Sequence, residues 1–195
     1  KNRSFFYPSV GLSAVLNSMM KMPKWVNLLK VRASWAQVGN DTQPYKTSPY
    51  YTTSDFSGSL VKPGTLYNAD FKPEMSTNWE GGLDFKAFGS RLGLDVTYYY
   101  NRTKNQILNA PFDPTTGYTK GTINSGCVSN RGVEIILRGT PVKTKDWQWD
   151  MTATWSTNKN KIESLSEFAD ERQILGSYVS GNVSIIGTKG GTTGD

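Results

Sequence analysis

The chain has 195 residues, 22 of them Lys or Arg and 16 Asp or Glu, with no histidine and a single cysteine. Histidine-dependent catalytic triads and imidazole zinc sites are therefore excluded, and one cysteine cannot form an internal disulfide or a CxxC site. The net charge of +6 is spread singly along the chain, whereas nucleic-acid binders usually gather Lys and Arg into a stripe or a helix. We therefore expect no catalytic residues, no metal or cofactor, and no nucleic-acid partner.

Strict alternation of apolar and polar residues dominates the regular parts of the sequence, and it predicts strands with two unlike faces. The first stretch, residues 5–16, is β-prone but alternates less cleanly. The stretches that alternate more clearly lie at residues 29–37, 79–86, 92–101, 133–138 and 147–156. Together they predict about six strands, most of them roughly twice as long as the usual strand of a soluble sheet.

The connections between these strands differ in length. Residues 89–90 and 141–146 are tight turns, and residues 17–27 form a short connection with room for one helical turn. By contrast, residues 39–78 and 109–124 are long loops of a kind that is uncommon in compact soluble domains. Short turns at one end of a sheet and long loops at the other are typical of an outer-membrane β-barrel.

Aromatic residues on the apolar faces favour the same architecture, because Trp and Tyr can bury a ring at the lipid boundary while the N–H or O–H reaches headgroups and water. Those that we assign to the lipid boundary are Trp35, Trp79, Tyr98, Tyr100, Trp147, Trp149 and Trp155. The alternative is a soluble β-sandwich that binds carbohydrate and fills an ordinary core with aromatics. A third reading, a membrane-barrel hydrolase, is the weakest, since no nucleophile–base spacing stands out.

Six strands cannot close a membrane barrel, because the smallest bacterial barrels have about eight. An open sheet in lipid would leave the N–H and C=O groups of its edges without partners. The N-terminus also has neither an initial Met nor a following apolar segment of the signal-peptide kind. We therefore expect these residues to be part of a longer chain.

Six segments, in a consistent order and spacing, carry a likeness to a known family. They read FYPSVGLS at 6–13, LKVRASWAQVGN at 29–40, PEMSTNWEGGLD at 73–84, RLGLDVTYY at 91–99, NRGVE at 130–134 and NKNKI at 158–162. The chain resembles the SusC/RagA family of TonB-dependent outer-membrane transporters of Bacteroidota, in the C-terminal half of the β-barrel. The resemblance follows residues 5 to about 165, whereas residues 166–195 match only loosely.

The resemblance implies an all-β fold, namely an antiparallel segment of about six long strands from a 22-stranded transmembrane β-barrel. Residues 1–165 would form barrel wall, and residues 166–195 an outer loop or the start of a further strand. The topology that it implies has loops 41–77 and 109–123 facing outside and connections 17–27, 89–90 and 141–146 facing the periplasm.

The resemblance also implies a setting and partners. The setting is the outer membrane of a Gram-negative, Bacteroidota-like cell, where lipid covers the apolar faces and the whole protein imports glycans, peptides or other nutrients. The outer loops of such transporters contact a SusD-like surface lipoprotein that lids the barrel. Energy would come through TonB, which contacts an N-terminal part that this sequence does not contain. The segment alone would not be competent for transport.

The long loop after the second strand offers aromatic rings that could stack on a sugar or contact the lipoprotein. These residues are Tyr45, Tyr50, Tyr51 and Phe56. The alternative is that they pack the loop against itself, as in other long ordered loops. The sequence favours this alternative, because no polar pattern in the loop marks a binding cleft.

Acidic residues on the polar faces would line the lumen, namely Glu80, Asp84, Asp95, Glu134 and Asp150. Because Arg32, Lys86 and Arg138 lie among them, we interpret them as a solvated, charge-balanced wall rather than as an acid–base pair. We interpret the acidic cluster at 163–171 as a solvated loop, and Cys127 as a small packing residue near a strand start.

Overall fold

The computed structural model describes residues 6–41, 49–53, 58–68, 72–165, 172–178 and 183–192 of the chain. Most of the described residues lie in strands. In chain order the strands are β1 (Ser9–Val15), β2 (Val26–Asn40), β3 (Thr52–Thr53), β4 (Leu60–Val61), β5 (Thr65–Leu66), β6 (Glu74–Ala87), β7 (Leu92–Pro111), β8 (Lys120–Lys143), β9 (Gln148–Ser164), β10 (Arg172–Tyr178) and β11 (Val183–Thr188). The helices of the described part are α1 (Leu16–Met19) and a 3₁₀ turn (Pro114–Thr116), and neither is long enough to cross a membrane.

Seven strands form one large sheet in the order β1-β2-β6-β7-β8-β5, with β9 paired to β8. Apart from β5, each strand of this sheet pairs with the long strand next to it in the chain, which hairpin connections make possible. β1 and β2 are antiparallel, with Leu12 opposite Ala33. Two smaller sheets join β3 to β4 and β10 to β11. The prediction of about six main strands is therefore confirmed.

The main strands are longer than the alternation alone predicts. β2 has 15 residues, β6 has 14 and β9 has 17, while β7 has 20 and β8 has 24. Strands of globular proteins usually have about 3–10 residues. These five strands are therefore unusually long for a soluble β-sheet.

The two faces of the large sheet differ in polarity, as alternation requires. On one face the rings of Trp35 in β2 and Trp79 in β6 lie 6.1 Å apart. On the other face Arg32 of β2 forms ion pairs with carboxylates of β6 and β7. The apolar face is open to the surroundings: Leu12 of β1 is 73% exposed and Trp149 of β9 is 56% exposed. Trp147, which the alternation placed on the same strand face, lies in the turn before β9.

Few side chains of the described part form a hydrophobic core. The buried apolar residues are Ala87, Cys127, Val128 and Ile162. In a β-sandwich the apolar faces of two sheets would cover each other and bury the large aromatic side chains, yet Trp79 is exposed. The β-sandwich alternative is therefore wrong.

The chain divides into two compact units, each built from portions of the same long strands. The first unit consists of Lys1–Gln37, Thr77–Asn101 and Asn130–Lys159, and the second of Val38–Ser76, Arg102–Ser129 and Asn160–Asp195. All three short connections belong to the first unit, and both long connections belong to the second.

The short connections are held by asparagine side chains and by unusual backbone angles. The predicted helical turn is α1, and Asn17 within it bonds the backbone N–H of Leu29 and the carbonyl of Val26 at the start of β2. Between β6 and β7 the turn includes Phe88 at a positive φ of 56°. The Ser90 N–H of that turn donates to the Asn27 side chain at 3.1 Å.

The long connections are shorter than predicted. β6 begins at Glu74 and β8 begins at Lys120. Residues 74–77 and 120–123, which the sequence placed in outer loops, therefore belong to strands.

Polar side chains fasten these strand ends. The Glu74 carboxylate accepts a hydrogen bond from the backbone N–H of Ile107 at 2.8 Å and another from the Asn40 side chain at 3.1 Å. The Asn124 side chain bonds both the N–H and the carbonyl of Lys72. Because polar side chains make these hydrogen bonds, the alternation of apolar and polar residues does not reveal where these strands begin.

Candidate functional site

The charged side chains of the polar face meet around one arginine in the first unit. Arg32 of β2 donates hydrogen bonds to Asp84 of β6 at 2.9 Å and to Asp95 of β7 at 3.1 Å. It also donates to the Thr97 hydroxyl at 2.6 Å. β2, β6 and β7 are adjacent strands, so alternation brings these side chains together on one face. We call Arg32, Asp84, Asp95 and Thr97 the Arg32 network.

Two further charges border this network. Lys30 Nζ lies 3.9 Å from an Asp84 oxygen, and Glu80 Oε1 lies 3.9 Å from Arg32 Nε. All these side chains are partly solvated, so water and salt screen each pair and no single pair contributes much to stability. The planar guanidinium, however, fixes the two Asp carboxylates in position, because it can donate to both at once.

The network requires a glycine in β6. A Cβ on Gly82 would overlap Arg32 Nε and would lie 2.6 Å from Arg32 Cζ and 2.9 Å from Arg32 Cγ. The Arg32 side chain therefore lies flat across β6, over Gly82, on its way to Asp95. Glycine inside a strand often marks such a close approach.

A second glycine plays the same part for an aromatic side chain. A Cβ on Gly132 of β8 would overlap the Tyr99 hydroxyl and the Thr157 carbonyl oxygen, and would lie 2.5 Å from Tyr99 Cζ. Tyr99 belongs to β7, so its ring reaches over β8 at the point where no side chain stands. Sequence reasoning missed both contacts, although Gly82 and Gly132 interrupt the alternation of their strands.

The remaining carboxylates of the polar face are not part of the Arg32 network. Asp150 of β9 accepts hydrogen bonds from the Thr140 hydroxyl at 2.6 Å and the Gln148 side chain at 2.7 Å. Within the described residues, Glu134 is absent from the ion pairs. The structure thus pairs some of the predicted wall charges and leaves others solvated, as a charge-balanced wall does.

A second polar cluster lies in the second unit. Arg102 of β7 pairs with Glu163 of β9 at 2.6 Å, and the Cys127 thiol of β8 lies 3.3 Å from the same carboxylate. The assignment of Glu163 to a solvated acidic loop is wrong, because it lies inside β9 and has a cationic partner there. Cys127 lies well inside β8 rather than near its start, and it is buried.

The seven aromatics assigned to the lipid boundary all belong to the first unit. Trp35 and Tyr100 are half-buried. The five that are exposed are Trp79, Tyr98, Trp147, Trp149 and Trp155. These large rings therefore lie on the protein surface, and their exposure to water would be unfavourable.

The loop aromatics divide into two groups. Tyr50 and Tyr51 are exposed, and Tyr50 stacks on Tyr67 with ring centroids 6.3 Å apart. Packing of this kind is what the self-packing alternative predicts for Tyr50. Tyr45 and Phe56 lie outside the described residues.

The 3₁₀ turn between β7 and β8 is capped by an aspartate. The Asp113 carboxylate accepts hydrogen bonds from the Thr115 backbone N–H at 2.9 Å and from the Thr115 hydroxyl at 2.8 Å. The backbone N–H, which has the larger effect, and the hydroxyl together hold the pKa of Asp113 below its usual range. Gly117 closes the turn with a φ of 79°.

The geometry provides positioned charge rather than a reactive centre. Within the described part of the chain, no three His, Cys, Asp or Glu side chains come together in a way that could hold a metal ion. What the sheet can do chemically is present an ordered polar face and an ordered apolar face on the same strands.

Comparison with known proteins identifies the class. The family profile described as "TonB dependent receptor-like, beta-barrel" matches residues 1–185, and the chain belongs to this family. Among curated relatives, it is 28% identical over 166 residues to TonB-dependent receptor P39 of Formosa agariphila, covering 83% of this chain and 16% of the relative. It is 25% identical over 178 residues to TonB-dependent receptor SusC of Bacteroides thetaiotaomicron, covering 85% of this chain and 18% of the relative.

Solved structures give the same fold. The RagAB peptide importer in its closed-closed state matches with a TM-score of 0.83 and 25% identity, covering 97% of this chain and 21% of that chain. The siderophore receptor PirA from Pseudomonas aeruginosa, at 18% identity, a TM-score of 0.51 and 86% and 32% coverage, shares the fold. The chain spans only 16% of TonB-dependent receptor P39 and 20% of TonB-dependent receptor P26, which is also from Formosa agariphila. The resemblance to SusC/RagA transporters and the assignment to a large β-barrel are confirmed.

Proposed function

We propose that this chain is a wall segment of an outer-membrane active importer that takes up glycans, peptides or other nutrients with energy from TonB. The observation that carries the proposal is the contrast between the two faces of the same long strands. One face exposes Leu12 and Trp149, which favours lipid, and the other orders charges around Arg32, which favours a water-filled lumen. Family membership supports transport rather than catalysis.

The position that we propose for the segment in the barrel is the one that the family resemblance implies. Residues 1–165 form wall, and residues 166–195 form an outer loop or further strand; the β10–β11 pair supports an outer hairpin. The long connections face outside and the short connections face the periplasm. The seven boundary aromatics lie at the membrane interface, where their polar atoms meet headgroups.

The partners are those of a transporter with a lid. A SusD-like surface lipoprotein contacts the outer loops, and TonB contacts a part of the protein outside this sequence. The candidate contacts of the lipoprotein or the cargo are the exposed Tyr51 and, from the sequence alone, Tyr45 and Phe56, whereas Tyr50 also packs on Tyr67. The structural match to the RagAB peptide importer supports an assembly of this kind and peptides as one cargo class.

Uptake measurements on the whole protein test the proposal. A strain with the full gene deleted is compared with the complemented strain for uptake of labelled oligopeptides and oligosaccharides, with a TonB-deficient strain as the energy control. We expect the protein in the outer-membrane fraction and uptake that is lost in both mutants. Uptake that persists after deletion, or recovery of the protein in the soluble fraction, would contradict the proposal.

The loop residues are tested by a matched pair of substitutions. Tyr51→Ser removes an exposed ring, and Tyr50→Ser removes a ring that packs within its own loop. If Tyr51 contacts the cargo or the lipoprotein, Tyr51→Ser raises the half-saturating cargo concentration while Tyr50→Ser chiefly increases protease sensitivity of the loop. Equal behaviour of the two variants would argue that the loop only packs against itself.

A further inference from the structure

An apolar cavity opens beside the short connections of the first unit. Its volume is about 520 Å³, which lies within the usual range for small-molecule sites. Six of its lining residues are Phe88, Leu92, Leu137, Gly139, Pro141 and Met151. They come from the turn before β7, the start of β7, the end of β8 and the start of β9. We call this space the turn cavity.

The walls of the turn cavity are fixed by backbone and ring contacts. The Arg91 carbonyl accepts a hydrogen bond from the Thr140 N–H at 2.7 Å, which joins β7 to β8 at the cavity. The Phe88 N–H donates to the Trp25 carbonyl at 2.8 Å, and the two rings stack with centroids 5.5 Å apart. The backbone bond and the ring stacking with Trp25 fix the position of Phe88. The cavity therefore exists without a rearrangement of this side chain.

One lining residue of the cavity, Gly139, contributes no side chain to it. A Cβ on Gly139 would meet nothing within 4 Å. Leu137, two residues earlier in β8, is exposed on the same side as Met151 of β9. The cavity is therefore a recess in the apolar face, continuous with the surface that the proposed function places in lipid.

One cation lies at this apolar recess. Arg91 lines the cavity and is exposed, and it is absent from the ion pairs of the described residues. The short connections around it are basic: Lys21, Lys24, Lys143 and Lys145 accompany a single acidic residue, Asp146. A free guanidinium beside an apolar recess complements a ligand with one anionic group and a long hydrocarbon chain.

We propose that the turn cavity binds one glycerophospholipid of the membrane, with an acyl chain in the recess and the phosphate at Arg91. The inference rests on the proposed function, because it requires the apolar face to lie in lipid. A peptide would need partners for its backbone N–H and C=O groups, and the recess supplies mainly carbon. The basic connections would place the headgroup on the periplasmic side, since clustered Lys and Arg attract anionic lipid surfaces.

Native mass spectrometry of the whole, delipidated transporter tests this site. Dioleoyl-phosphatidylglycerol and dioleoylglycerol are titrated separately onto the protein and its variants. We expect Gly139→Leu, which fills the recess, to abolish the tightest binding event for both lipids. We expect Arg91→Gln to weaken phosphatidylglycerol binding about tenfold, the scale of one charge-assisted hydrogen bond, and to leave dioleoylglycerol unchanged.

The controls match these variants in chemistry. Gly81→Leu also adds a side chain where a Cβ meets nothing within 4 Å, but outside the cavity, and Lys145→Gln removes a nearby cation that does not line it. Both should bind lipid as the wild type does. Equal loss in Gly81→Leu or Lys145→Gln, or unchanged binding in Gly139→Leu, overturns the proposal.

Two checks keep the outcomes distinct. If Gly139→Leu fails to insert, the smaller Gly139→Ala together with Arg91→Gln decides the question, since weakening by neither would overturn the lipid site. Outer-membrane fractionation and cargo uptake of the same variants test the proposed function independently. A protein that is inserted and imports normally, but whose lipid binding ignores these substitutions, lacks only the lipid site.

Discussion

Replacement of Gly82 by Ala should disrupt the Arg32 network without removing any of its members. The added Cβ would lie 2.6 Å from Arg32 Cζ and 2.9 Å from Arg32 Cγ. Because the overlap includes Cγ as well as the guanidinium, the whole Arg32 side chain must move. Its hydrogen bonds to Asp84, Asp95 and Thr97 at 2.9, 3.1 and 2.6 Å cannot all survive that movement.

The cost can be bounded from the geometry. The side chains of Arg32, Asp84 and Asp95 are 29%, 22% and 26% exposed, so water replaces part of what is lost and the values for buried pairs do not apply. We therefore expect Gly82→Ala to lower the free energy of unfolding by about 1–3 kcal/mol. Without the guanidinium between them, Asp84 and Asp95 would also repel each other, which places the value toward the upper part of this range.

The neighbouring glycine supplies the control. A Cβ on Gly81 meets nothing within 4 Å, so Gly81→Ala changes the backbone entropy of the same strand without touching Arg32. Urea unfolding of the whole receptor in detergent, followed by the mobility of folded and unfolded barrel on gels, would compare the two variants. The cost of Gly82→Ala should also largely vanish in an Arg32→Ala background, since the clash then has no partner.

Two results would refute this reasoning. One is a difference of less than about 0.5 kcal/mol between Gly81→Ala and Gly82→Ala, which is within the scatter of ordinary surface substitutions. The other is an equal cost of Gly82→Ala with and without Arg32. Either result would mean that the guanidinium is free to lie elsewhere.

Three further predictions concern other parts of the chain. Gly132→Ala should destabilise the barrel by about 2–4 kcal/mol in the same unfolding assay, more than Gly82→Ala, because its Cβ meets a backbone carbonyl as well as Tyr99. The contribution of the Asp113 cap should be complete above the ordinary Asp pKa of about 3.9 and disappear as pH falls through the lower folded value. Amide exchange at Thr115, corrected for intrinsic rate, should report this loss, and Asp113→Asn should abolish its pH dependence. The 195-residue chain alone should require detergent and show no cooperative melting in buffer, because its apolar face lacks lipid and its sheet edges lack partners.

Each of these predictions has a contradicting outcome. Gly132→Ala with wild-type stability would show that Tyr99 does not lie over β8. Exchange at Thr115 that ignores pH in the wild type would remove the Asp113 cap. A soluble monomer of the isolated chain with a sharp melting transition by calorimetry would argue against a membrane wall segment.

The faces of the sheet could be predicted from the sequence because alternation alone decides them. The periods of β2, β6 and β7 place Arg32, Asp84 and Asp95 on one face and Trp35 and Trp79 on the other, as the structure has them. Pairing with the neighbouring strand then follows from the short connections. These features depend on local spacing, which a single sequence displays.

Strand ends and side-chain geometry could not be predicted in the same way. The beginnings of β6 and β8 depend on Glu74 and Asn124, whose hydrogen bonds to Ile107 and Lys72 span 33 and 52 positions of the chain. Glu163 looked like a loop residue because its cationic partner, Arg102, lies 61 positions earlier. Long-range polar partners leave no periodic trace in one sequence.

β5 links the two long connections to each other. This two-residue strand, from the first long connection, runs parallel to the beginning of β8, with Thr65 opposite Lys120. The Gly64 carbonyl beside it accepts hydrogen bonds from the N–H groups of Thr119 at 2.8 Å and Lys120 at 3.3 Å. Replacing one of these loops with the loop of another receptor would therefore break hydrogen bonds that the other loop also uses. Divergence of such receptors toward new cargo should replace these two loops as a pair, while the six main strands stay in register.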